Sequence, residues 1–224
     1  MSGLVFTQAE FPTRRARQEW VERANQFTHV FGALLSIVGA GWLVSSASAV
    51  GDFWLTLGCW ISAGSMVLLY VTSALSHSFR RGWWKHTFRT LDQVSIFLMI
   101  SGGYTPVGLT VAREYWPVLA AIWALTLAGI ATKLFVTGIR NVPMWFYVVC
   151  GWMPLLAAPP IIEHFSIPAL CWIVVGGLCY TAGTIFLAND ERRACFHPLW
   201  HVMVIAGSAC HFVVIQQFLV PSLG

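Results

Sequence analysis

Five residues in this chain have the types and spacing to do chemistry together. Ser73 and His77 stand four apart, His197 and His201 stand four apart, and Asp92 falls between the two pairs. On a helix, residues i and i+4 share a face, so each pair presents two side chains in one direction. Three imidazoles beside a carboxylate suit zinc, with three protein ligands leaving the fourth tetrahedral position for water. Such an open site is catalytic in type: it brings the pKa of its water to roughly 7 and polarises a carbonyl. Asp92 would then hold the water, act as general base, or orient a ligand histidine. Ser73 would hydrogen-bond to the water or to an oxyanion.

A plainer reading stands beside this one. A histidine pair near a membrane interface can be a polar helix end, and a serine can bond its own helix backbone. Asp92 follows Arg89 closely and can pair with it or cap a helix. The remaining histidines divide by position. His29 is expected to be a structural hydrogen-bonding residue rather than a fourth ligand. His211 lies ten residues past His201, roughly 15 Å further along a helix, which takes it out of the site. His86 and His164 are expected to be solvated in loops. The segment HPLWH lacks the glutamate base of HExxH metalloproteases.

Whether these residues can meet depends on the elements that carry them. Of 224 residues, 57% are hydrophobic and only 10% are charged, against roughly 25% charged in a soluble domain. Apolar runs of membrane-spanning length separate the charge clusters. They cover 27–50, 53–77, 88–111, 116–136, 142–162, 167–187 and 197–220. This predicts an all-α membrane protein, a bundle of seven transmembrane helices. A polar segment 1–26 precedes the membrane domain 27–220, and a short tail 221–224 follows it. The first 26 residues hold no apolar stretch before a small-residue cleavage site, so the first run is expected to remain as a span. Pro154, Pro159 and Pro160 predict a kinked or shortened fifth span. A barrel is excluded by the lack of apolar and polar alternation. Trp54, Trp83, Trp84, Tyr115, Trp116 and Trp145 lie near span ends, as an interfacial belt requires. The six cysteines are spread through apolar runs without CxxC spacing, which reads as free thiols rather than a disulfide framework.

The basic residues give an orientation. Arg14, Arg15, Arg17 and Arg23 precede span one, and Arg80, Arg81, Lys85 and Arg89 lie between spans two and three. Lys133 and Arg140 flank the loop after span four, while Arg192 and Arg193 precede span seven. These are alternate loops, and the opposite set holds only Arg113. The positive-inside rule therefore predicts a cytoplasmic N-terminus and an outside C-terminus. The net charge of +4 is thus a topology signal and carries no indication of nucleic acid. On this plan His77, Asp92, His197 and His201 all come to one depth near the inner leaflet. Ionisable residues in a membrane are costly, so that convergence marks a candidate site.

At these residues the chain resembles the hemolysin III family, the bacterial branch of the progestin and adipoQ receptor (PAQR) proteins. The carrying stretches are EWVERANQFTHVFGALLSIVG at 19–39, SALSHS at 73–78, LDQVSIFLMISGGYTP at 91–106 and FHPLWHVMVIAGSACHF at 196–212. The resemblance implies an inner-leaflet zinc site with His77, His197 and His201 as ligands. It puts Asp92 at the water-holding position with Ser73 beside it. Gln93 and Ser76 depart from the pattern, where His after the aspartate and Tyr before the span-two histidine are usual. The resemblance also implies a multi-pass protein of the bacterial cytoplasmic (inner) membrane whose partners are membrane lipids. Its expected activity is zinc-dependent, ceramidase-like hydrolysis of a lipid amide or ester. The alternative is a non-enzymatic membrane-homeostasis or sensing protein stapled by structural zinc. A transporter is disfavoured, because the mid-membrane region is read as carrying no polar groups beyond scattered Ser, Thr and His211. A pore-former is disfavoured because the spans look constitutive.

Overall fold

The computed structural model of the protein describes residues 13–79, 81–135 and 143–224. Helices account for nearly all of the described residues, and no strand occurs among them. The helices are α1 (Arg14–Val50), α2 (Phe53–Ser78), α3 (Trp83–Leu109), α4 (Trp116–Phe135), α5 (Met144–Trp152), α6 (Ala158–His164), α7 (Ile167–Ala188), α8 (Phe196–Val214) and α9 (Val220–Ser222). Six helical stretches among the described residues are long and apolar enough to cross a membrane. The stretch expected as span three is helical as well. It is not among the six: its first turns carry Lys85, His86, Arg89, Asp92 and Gln93.

Local sequence explains where these helices start and stop. Thr13 caps α1, its hydroxyl accepting from the Ala16 N–H. The polar stretch expected to precede the first span therefore forms, from Arg14 onward, the opening turns of the same helix. The Arg15–Glu19 pair at i,i+4 supports those turns. Gly51 ends α1 at φ +82°, where a side chain would be strained, and Asp52 then caps α2 through the Leu55 N–H. Gly82, at φ +87°, makes the corresponding bend before α3. The prolines break the fifth stretch as expected: α5 gives way to a 3₁₀ segment, Met153–Ala157, before α6 resumes. The expected ends at 136 and 142, together with Arg80 and Arg140, lie outside the described residues.

Large apolar side chains cover the outside. Phe27, Phe31, Leu34 and Val38 on α1, and Val174, Leu178 and Ile185 on α7, are all exposed. In a chain of this hydropathy that is the face turned to lipid, and the protein is a multi-pass membrane protein. Small residues let helices approach closely: a Cβ on Gly58 of α2 would lie 2.6 Å from the Pro106 Cα of α3. No cysteine is disulfide-bonded, and Cys171 is exposed whereas Cys59, Cys150, Cys195 and Cys210 are buried.

Polar side chains away from the chain's basic end pair with one another across helices. Tyr70 donates to Ser208 at 2.8 Å, and Tyr180 shares the same hydroxyl at 3.0 Å. Ser101 meets Thr126 at 2.7 Å, Trp152 donates to Thr181 at 2.9 Å, and Gln216 donates to Ser46 at 3.0 Å. The interior thus holds more polar groups than scattered Ser, Thr and His211. Gln216 lies in a π-helical turn, Ile215–Leu219, that continues α8.

Candidate metal centre

His77 sits in the last turn of α2, and His197 and His201 occupy the first two turns of α8. Pro198 is accommodated there because the first turn of a helix has no N–H bond to lose. One ring nitrogen from each of the three histidines falls within 4.8 Å of the others. Their ring centres are 4.7 Å (His197–His201), 5.2 Å (His77–His201) and 5.5 Å (His77–His197) apart. With metal–nitrogen bonds of about 2.0–2.1 Å, imidazoles around one tetrahedral ion have centres roughly 5 Å apart. The three rings are therefore spaced for a shared ion.

The outer side of each ring is held from outside its own helix, two of them by α1. His77 Nδ1 lies 2.7 Å from Glu22 Oε2 on α1. His197 Nδ1 lies 2.9 Å from Asp190 Oδ2 in the α7–α8 connection. His201 Nδ1 lies 3.2 Å from the Thr28 hydroxyl on α1, which itself reaches the Asn25 carbonyl at 2.9 Å. Each contact reads as Nδ1–H donating to oxygen, which fixes the tautomer and leaves the Nε2 lone pair free. Carboxylates and hydroxyls behind ligand histidines are the usual support of a metal site. This donor set fits zinc.

Asp92 was expected near the start of its helix, as a cap or as a partner of Arg89. Because α3 begins at Trp83, Asp92 instead lies in its third turn and cannot cap it. Its hydrogen-bond partners are Ser73 and Ser76 of α2, the latter at 3.4 Å. Ser76, one of the two departures noted in the sequence, thus contributes to holding the carboxylate. Ser73 is expected to face a water or an oxyanion, and here it is turned toward Asp92. Asp92, Ser73, Ser76 and all three histidines line one cavity of about 1300 Å³. That cavity runs on between the helices to apolar residues such as Val107, Ile161 and Ile215.

The other histidines correct the sequence reading in part. His29 is buried and lines the cavity, but neither ring nitrogen has a hydrogen-bond partner among the described residues. Among the described residues it therefore makes no structural hydrogen bond. Its ring packs edge-on against His201 with centres 3.8 Å apart, too close for the two to share one ion, so it is no fourth ligand of this trio either. His211 lies outside the trio and bonds the Ile173 carbonyl at 3.3 Å. His86 is exposed in the first turn of α3, and His164 ends α6 bonded to Ser222 at 2.8 Å, so both are helical rather than in loops. Glu22, Thr28 and Asp190 were not singled out. Glu22 and Thr28 meet their histidines only across helices, and Asp190 meets His197 through the short connection that precedes α8.

The whole chain bears comparison with known proteins. Residues 18–212 match the family model described as haemolysin-III related. The chain is 33% identical over 204 residues to hemolysin-3 of Bacillus cereus, covering 90% of this chain and 93% of that one. It is 32% identical over 202 residues to the hemolysin-3 homolog of Bacillus subtilis (strain 168), covering 89% and 94%. It is 27% identical over 210 residues to the human monocyte to macrophage differentiation factor, covering 89% and 84%. No solved structure matches. With a family match over most of its length, and relatives covered nearly end to end, the chain belongs to the hemolysin III family of the PAQR superfamily of membrane proteins.

Proposed function

We propose that this protein is a seven-span membrane enzyme of the bacterial cytoplasmic membrane. In this reading it binds zinc on His77, His197 and His201 at the inner leaflet and hydrolyses an amide or ester bond of a membrane lipid. The observation that carries it is the trio of rings about 5 Å apart, each with its Nδ1 engaged from outside. Alternate basic loops support a cytoplasmic N-terminus. A zinc ion supplies Lewis acidity for a carbonyl and acidifies a water. Asp92, its carboxylate oriented by Ser73 and Ser76, takes a proton at an Oδ atom and returns it to the leaving group. The cavity takes the hydrocarbon chain and lays its polar end beside Asp92.

A non-enzymatic reading has its own support, since the histidines and their partners join α1, α2 and α8 as a staple would. Metal analysis of detergent-solubilised wild type beside the His197→Ala/His201→Ala variant tests the site. One zinc per chain, lost in the variant, is expected, and a metal-free wild type would sink the proposal. Asp92→Asn then separates the readings. An enzyme loses turnover on lipid amides or esters while keeping its zinc, and a staple keeps its function.

A further inference from the structure

Helix α1 contributes no ligand to the trio, yet it reaches two of the three rings from behind. The tighter contact is Glu22 to His77, at 2.7 Å. The second carboxylate oxygen of Glu22 lies 3.3 Å from Lys85 Nζ in the first turn of α3. Lys85 is anchored in turn on the Ser76 carbonyl at 2.7 Å, in the last turns of α2. The Lys85 contact of Glu22 is thus the looser one on both sides.

We propose that Glu22 is a positioning residue for the metal centre, its carboxylate holding His77 in the Nδ1–H tautomer while Lys85 offsets its charge. This rests on the zinc reading above. The rival is an ion pair that merely ties α1 to α3. Glu22 and Lys85 are both partly buried, and their separation of 3.3 Å is longer than that of a tight charge-assisted hydrogen bond. A tie would also have its shortest contact on the lysine, whereas the shortest contact here is on the imidazole. A neutral imidazole free of partners places its proton on either nitrogen. A carboxylate at Nδ1 removes that choice, leaves Nε2 as the donor and raises its basicity. His77 needs this more than the other two ligands, because it stands alone at the end of α2, whereas His197 and His201 share one helix face.

The test is affinity for Co²⁺ and Zn²⁺ in the solubilised full-length protein, measured by competition with a chelator, together with the visible spectrum of the cobalt form. Glu22→Ala is expected to bind 10–100-fold more weakly, the range seen when such supports are removed. Glu22→Gln keeps an acceptor oxygen without the charge; it should lie between wild type and Glu22→Ala and shift the cobalt bands. Glu19→Gln, one turn earlier and paired with Arg15, should change neither affinity nor spectrum. Wild-type affinity and an unshifted spectrum in Glu22→Gln would overturn the assignment even if Glu22→Ala fails to fold. A wild type that takes up neither metal would instead remove the zinc reading and this role with it, so the two failures are distinct.

Discussion

The basic end of the bundle and the region beyond it put polar side chains to opposite uses. Beyond the site, Tyr70, Tyr180 and Ser208 close on one another, and Gln216 takes Ser46 as its partner. At the basic end, each of three histidines spends one nitrogen on a neighbour and points the other at a common place. Polar atoms in a membrane are expensive, so a group whose hydrogen bonds close within the protein is fastening helices. A group that leaves a lone pair facing its neighbours' lone pairs can hold a cation. The difference lies in the unfinished valence and not in polarity itself.

This contrast can be broken outright. His77→Ala should abolish binding of one metal per chain, while Gln216→Leu should leave metal content unchanged; loss in both variants would show that the two regions are not separable. Asp92→Asn should lower turnover on a lipid amide or ester by about 10²–10⁴-fold with zinc retained, the range for a lost general base, and steady-state rates beside metal content check it. The fastening region should respond in stability alone. Gly58→Ala drives a Cβ against the Pro106 backbone, where nothing can swing aside. It should cost about 1–3 kcal/mol, read as a lower midpoint of thermal unfolding in detergent at unchanged metal stoichiometry. Ser208→Ala, which leaves Tyr70 and Tyr180 without their shared partner, should cost roughly 0.6–1.7 kcal/mol by the same measurement, the range for interhelical hydrogen bonds in membranes.

Much of this arrangement could be read from residues alone. The apolar run lengths and the three prolines foretold the helices and the break after α5. The i,i+4 spacings together with alternating basic loops led to His77, His197 and His201 as a group. Two kinds of feature were hidden. The start of α3 at Trp83 escaped because the hydropathy of its first turns is low, and this misplaced Asp92 as a possible cap. Glu22 and Thr28 escaped because no periodicity ties an acid or a hydroxyl to a histidine 55 or 173 residues away, and Asp190 because its seven-residue step to His197 runs through a connection between helices rather than along one face. His29 was misjudged for a related reason: its ring is buried against another imidazole instead of a hydrogen-bond partner.

The separation in sequence between the ligands and their supports has a consequence for biosynthesis. Glu22, His77 and Lys85 lie within α1, α2 and the first turn of α3, and their contacts span 55 and 63 residues. Those three helices can therefore pair, with the His77 ring already set, while the rest of the chain is still on the ribosome. His201 meets Thr28 across 173 residues, and it arrives with His197 only when α8 enters the bundle. One of the three histidines is in place early and waits for the other two. The three histidines come together only in a chain whose late helix has inserted and docked, which makes the trio a marker of completed assembly.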